Sequence, residues 1–107
     1  MRRGDVCWYT FKAPDKRHPV LILTRTSAIG YLNALTIAPI TTIVRDIPSE
    51  VFLSREEGMS TDCAVNCDNL QTVPRMQIDG LITTLSPVRM REVNQALAFA
   101  LGMDSNG

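Results

Sequence analysis

Between Lys16 and Arg45 the chain places cations and hydroxyls at the ends of two apolar, β-prone segments. The first reads Lys16-Arg17-His18-Pro19-Val20-Leu21-Ile22-Leu23-Thr24-Arg25. After a short gap the second reads Leu35-Thr36-Ile37-Ala38-Pro39-Ile40-Thr41-Thr42-Ile43-Val44-Arg45. Guanidinium forks and hydroxyls donate well to phosphate oxygens, so such a rim on a packed scaffold suits a phosphate-bearing substrate. His18 is the only histidine. An imidazole, with an unperturbed pKa of about 6.5, is an acid–base group suited to neutral pH.

Composition bounds what this rim belongs to. A chain of 107 residues with 45% apolar content fits one folded domain with one core. No apolar run approaches the roughly 20 residues that span a bilayer, and Met1-Arg2-Arg3-Gly4-Asp5 opens no signal-peptide stretch. The expectation is a cytoplasmic protein without a membrane. Net charge is zero, but residues 1–45 hold seven Arg and Lys against two acids, and the rest hold four against nine. Halves of +5 and −5 predict one basic face. Arg outnumbers Lys nine to two, which favours geometric recognition of phosphate. Three cysteines, Cys7, Cys63 and Cys67, read as reduced thiols; zinc takes about four ligands and His18 is the only histidine, so small buried hydrophobes are the better reading. No metal or cofactor is expected.

The elements that must position these residues are mostly short strands. Strands are expected over Asp5–Phe11, Pro19–Arg25, Leu35–Ile40, Glu50–Leu53, Cys63–Cys67, Leu70–Val73 and Leu81–Leu85. In the first, Val6 and Trp8 share a face, with Trp8 in the core. Pro19 opens the second, and its continuous Val-Leu-Ile-Leu run predicts burial on both faces. Lys12–His18 and Ser27–Asn33 read as loops, Arg45–Ser49 as a turn, and Pro74–Asp79 as a helical turn. One helix is predicted over Pro87–Leu101, with Ser86 as N-cap, Pro87 at the first position and Gly102 as stop. Its core stripe is Met90, Val93, Leu97 and Leu101, flanked by Ala96 and Ala100. The pattern by itself gives a β-rich fold with a C-terminal helix.

Several motifs resemble the MazF/PemK/Kid-type toxin endoribonucleases. In that family a strand opening Arg-Pro-Val-Leu-Val precedes one ending Pro-Ile-Thr, as in Pro19-Val20-Leu21-Ile22 and Pro39-Ile40-Thr41. Arg3-Gly4-Asp5-Val6 with Trp8 is similar to its opening, and Asp68-Asn69-Leu70-Gln71-Thr72 to its Glu/Asp-Gln-x-Arg-Thr segment. Gly80-Leu81-Ile82 through Leu101 matches its last strand and helix. The resemblance implies a compact SH3-like β-barrel of the MazF/Kid/CcdB type, a homodimer, single-stranded RNA (an mRNA, or an rRNA or tRNA loop) as substrate, and a cognate antitoxin as partner. It implies metal-free cleavage by 2′-hydroxyl attack, giving 2′,3′-cyclic phosphate and 5′-hydroxyl ends. Such a reaction needs a group to take the 2′ proton, one to protonate the leaving 5′-oxygen, and donors for the charged phosphorane.

Carried onto this chain, the resemblance makes Thr41 and Asp68 catalytic, together with an Arg directly before the strand-opening proline. Here the chain departs, for His18 holds that position and Arg17 lies one earlier. A one-residue shift in a strand reverses a side chain's face. Arg17 swings in, His18 does the work itself, or the chain is attenuated to an RNA-binding variant. Lys16, Arg25, Thr42, Arg45, Asn69 and Gln71 are assigned to RNA contacts, and Trp8, Tyr9 and Phe11 offer stacking surfaces. The loop after the first strand is shorter than in many members and lacks their Gly-x-Glu-Gln. A non-enzymatic inhibitor toxin of the CcdB type shares the barrel. The Lys16–His18, Thr41 and Asp68 constellation is what favours the nuclease over it.

Overall fold

The computed structural model describes residues 1–12 and 17–104. Their elements are β1 (Asp5–Thr10), β2 (Arg17–Ile22), α1 (Thr26–Ile29), β3 (Ala34–Thr41), β4 (Glu50–Leu53), β5 (Cys63–Asn66), β6 (Gln71–Pro74), β7 (Ile78–Thr84) and α2 (Pro87–Ala100), with single 3-10 turns at Arg55–Glu57 and Arg75–Gln77. All the strand pairs are antiparallel, in the order β4-β5-β3-β2-β1-β7, and β6 adds to β3. The fold is mainly β with a C-terminal helix. Among the described residues the sheet does not close on itself, since β4 and β7 end the order.

Alternation along β2 explains the continuous apolar run. Leu21 packs with Val6, Ala38, Ile40, Val65 and Leu53 in one cluster, which α2 covers with Val93 and Ala96. Val20 and Ile22 point the other way, into a second cluster with Cys7, Leu35, Ile37, Val73 and Ile78. All three β2 side chains are fully buried, each worth about 1.5–3 kcal/mol of transfer free energy. The expectation of one core therefore becomes two, one on each face of the strand.

Most element boundaries differ from expectation by a residue or more, and those of β2, α1 and α2 do so for local reasons. β2 starts at Arg17, because Arg17 and His18 pair with Thr10 and Tyr9 of β1, whereas its pairing with β3 begins only at Val20. It also ends at Ile22 instead of Arg25. The expected loop over 27–33 overlaps the single turn α1, whose Ala28 and Ile29 are buried; Ile29 packs in the second cluster. One turn is too short for helical periodicity to register. In α2, Ser86 caps the Arg89 N–H at 3.2 Å, and Met90, Leu97 and Ala100 flank the core. Leu101 leaves the stripe: the helix ends at Ala100 and its side chain is 57% exposed.

The Arg-Gly-Asp opening proves to be a clasp. Gly4 takes a left-handed φ of +98°, and its N–H reaches the Ile22 carbonyl at 2.9 Å. Asp5 is buried and accepts from the Arg2 N–H at 2.9 Å and the Thr84 hydroxyl at 2.8 Å, joining β1 to β7. Arg3 donates to the Leu23 carbonyl and to Asn94 of α2. These residues hold the scaffold together, and they leave the chemistry to the strand ends.

Candidate active site

Two prolines open the site. Val20 opposite Pro39 is the last pair between β2 and β3. Pro39 of that pair and Pro19 beyond it both lack an N–H, so the ladder loses donors on both sides. β3 continues instead onto β5, pairing Ile40 with Val65 and Thr41 with Ala64. The strands part, and a cavity of about 640 Å³ opens, within the size range of small-ligand sites. Extending the β2–β3 register past the prolines would set His18 opposite Thr41, and both line the cavity.

One wall carries Trp8, His18 and Pro19, with Phe11 and Lys12 beyond the end of β1. A second is Pro39 to Ile43, a third Met59 to Thr61 with Cys63, and Asn69 and Gln71 complete the rim. His18 is exposed, its ring centroid 6.0 Å from that of Phe11 at an interplanar angle of 60°. Thr41 is half-buried and its hydroxyl oxygen accepts the Ile43 N–H at 3.1 Å. Accepting that bond leaves the hydroxyl proton free to donate to a substrate oxygen. Neighbours on an extended strand face opposite ways, but β3 ends at Thr41, and both Thr41 and Thr42 line the cavity.

Cys63 at the cavity is no nucleophile. Burial, reinforced by Asp62 and Glu57, pushes its thiol up to about 11, and only the thiolate attacks. Burial likewise pushes Cys67 up to about 11, with Asp68 adding to the effect, and raises Cys7. The three thiols are free and buried.

The remaining assignments divide. Arg17 does not line the cavity but sits beside it. Its guanidinium carbon is 4.5 Å from the Trp8 ring centroid, and Nη2 is 3.5 Å from the Asp79 carboxylate. This leaves Trp8 half-buried beneath a cation, outside both core clusters where the sequence reading had put it. Asp68 is exposed and also outside the lining; its carboxylate accepts from the buried Ser49 hydroxyl, and its N–H donates to Asn66 at 2.9 Å. Arg45 is tied to Glu50, with Nε 2.6 Å from Oε2 and its N–H 3.0 Å from Oε1. Arg25 lies past the far end of β2, donating to the Tyr31 hydroxyl at 3.0 Å. Lys16 lies outside the described residues. The cations of the positive half are thus spread by their partners, and among the described residues Lys12 and His18 are the basic groups that line the cavity. Ser60 and Thr61 also line the cavity, though no motif of the sequence points to them. A hydroxyl pair following a left-handed glycine is the structural signal that marks them.

Comparison with known proteins accords with this geometry. The chain is similar to the probable endoribonuclease MazF2 of Mycobacterium tuberculosis, 37% identical over 103 residues, covering 95% of this chain and 99% of the relative. The solved Mycobacterium tuberculosis toxin MazF-mt6 superposes with a TM-score of 0.86 at 33% identity, covering 94% of this chain and 98% of that one. A mycobacterial endoribonuclease solved in complex with its cognate antitoxin also gives 0.86, at 25% identity and 96% coverage of each. A family model described as "PemK-like, MazF-like toxin of type II toxin-antitoxin system" matches residues 2–101. With the proline-parted strands, the closing helix and nearly its whole length accounted for, the chain belongs to the PemK-like, MazF-like toxin family of type II toxin–antitoxin systems.

Proposed function

We propose that the chain is a type II toxin acting as an endoribonuclease on single-stranded RNA, held in check by a cognate antitoxin in the cytoplasm. The observation that carries this reading is the placing of His18 and the Thr41 hydroxyl across the gap between β2 and β3. His18 takes the proton from the 2′-hydroxyl as it attacks the phosphorus. The bond to the 5′-oxygen breaks, and that oxygen leaves with a proton returned from the imidazolium or from water. Thr41 donates to a non-bridging oxygen of the phosphorane, and Lys12 and Arg17 supply positive charge at the rim. The products are a 2′,3′-cyclic phosphate and a 5′-hydroxyl. Asn69, Gln71 and Thr42 line the same groove and contact the strand. Asp68, bonded to Ser49, is left out of the reacting groups.

Incubation of the protein with a long single-stranded RNA in excess EDTA should yield defined cuts with 5′-hydroxyl ends. Activity that vanishes with EDTA and returns with magnesium would overturn the mechanism.

The same reading includes a homodimer. Among the described residues β7 pairs with β1 alone, and Leu81 on it is 63% exposed and Met76 just before it 91% exposed. An open edge bearing apolar side chains is a surface for a second chain. Sedimentation at micromolar concentration should give about twice the 11.9 kDa monomer mass. A monomer would exclude a groove shared between subunits.

A further inference from the structure

We propose that Ser60 and Thr61 set the sequence preference of the site, reading the edge of one nucleobase held in the cavity. This rests on the endoribonuclease reading above. The segment Met59–Thr61 lines the same cavity as His18 and Thr41 but presents hydroxyls and no charge. Phosphate contacts fix position whatever the sequence, whereas donors and acceptors that reach a base edge discriminate between bases. With His18 and Thr41 assigned to the phosphate, the hydroxyls of the 59–61 segment are left for a base.

Discrimination also needs a hydroxyl that cannot follow the wrong base; Ser60 and Thr61 are exposed, and the chain leading into them is braced. Met59 is buried in the α2-side core cluster. Gly58 has φ +97° and lies so close to Thr83 that a Cβ would come within 2.5 Å of its hydroxyl oxygen. The Thr83 hydroxyl donates to the Glu57 carbonyl at 2.8 Å. The Glu57 carboxylate accepts from the Ser54 N–H at 2.6 Å and lies 3.3 Å from Arg89, which reaches across from α2 and is held by Glu92 at 2.6 Å. The Ser54 N–H, followed by Arg89, lowers the Glu57 pKa and keeps it ionised. A wall fixed in this way to the helix and to β7 is preorganised, and that makes two small hydroxyls selective.

The test compares the parent with Ser60→Ala, Thr61→Val and Thr61→Ser. Cut sites are mapped on a long RNA, and kcat/KM is measured on short RNAs varied one base at a time. For Ser60→Ala or Thr61→Val the ratio between preferred and disfavoured base should narrow roughly tenfold at one position, and Thr61→Ser should restore it. Unchanged preference in both variants, or an even loss over every sequence, would overturn the proposal while leaving the nuclease reading standing. If the parent cuts nothing, binding of 2′-O-methyl oligonucleotides varied at one base decides. Equal binding of all of them overturns the inference, base-dependent binding relaxed by the variants supports it, and no binding removes both readings.

Discussion

An RNA carrying one 2′-deoxy sugar at the cut site should lose cleavage there by about a thousandfold or more, with the other sites cut normally. The nucleophile in the proposed reaction belongs to the substrate, and well-oriented intramolecular groups reach effective molarities of roughly 10⁵ M or more. The Cys63 thiol at the cavity is no substitute nucleophile, because burial keeps it protonated. A 2′-O-methyl sugar should block the site equally. End-labelled substrates resolved on a denaturing gel check both, and continued cleavage at the modified site would show that water attacks instead.

His18→Ala should lower kcat by about 100-fold or more, a usual contribution of general acid–base catalysis. His18→Arg should keep or raise activity, since it restores the side chain that the family resemblance places there. Arg17→Ala should cost less and act through binding, with a deficit that grows with salt. Arg17 is parked on Trp8 and Asp79 at the rim, while His18 lines the cavity itself. If Arg17→Ala abolishes cleavage and His18→Ala is silent, the guanidinium has taken the role. If His18→Arg turns an inert parent into a nuclease, the chain is an attenuated variant. Single-turnover rates of the three variants beside the parent separate these outcomes.

Much of this was legible in the residues themselves. Ser86-Pro87 and Gly102 bracket a helix by capping chemistry that needs no tertiary context, and the structure ends it one residue short of the reading. The Val20–Ile22 run announced burial on two sides, though not that each side has its own core. That depends on which face α1 and α2 choose, and a four-residue turn such as Thr26–Ile29 leaves no period to read. At the site, the motifs around Pro19 and Pro39 drew attention to His18 and Thr41, and both line the cavity. Arg25 and Arg45 lie elsewhere, because a cation at a strand end looks the same in sequence whether its partner is phosphate, Tyr31 or Glu50. Asp68 likewise lies outside the lining, its carboxylate engaged by Ser49 from 19 positions upstream. Pairing across the fold is invisible to local pattern, so the strands were easier to read than the allegiance of their polar ends.

The two-sided burial of β2 bears on how rigidly the identity of the residue at the cavity is fixed. Moving Arg17 into the place of His18 by sliding the strand would take one step of register, and that step turns every side chain over. Val20, Leu21 and Ile22 would each enter the other cluster, with volumes unmatched to the new holes. Pro19 would take the place of Val20, the residue where pairing with β3 begins, bringing a ring without a donor into the ladder. Both cores and the proline therefore act as detents against slippage. The side chain offered at this position changes only by substitution, because the strand has no neighbouring alignment into which it can settle.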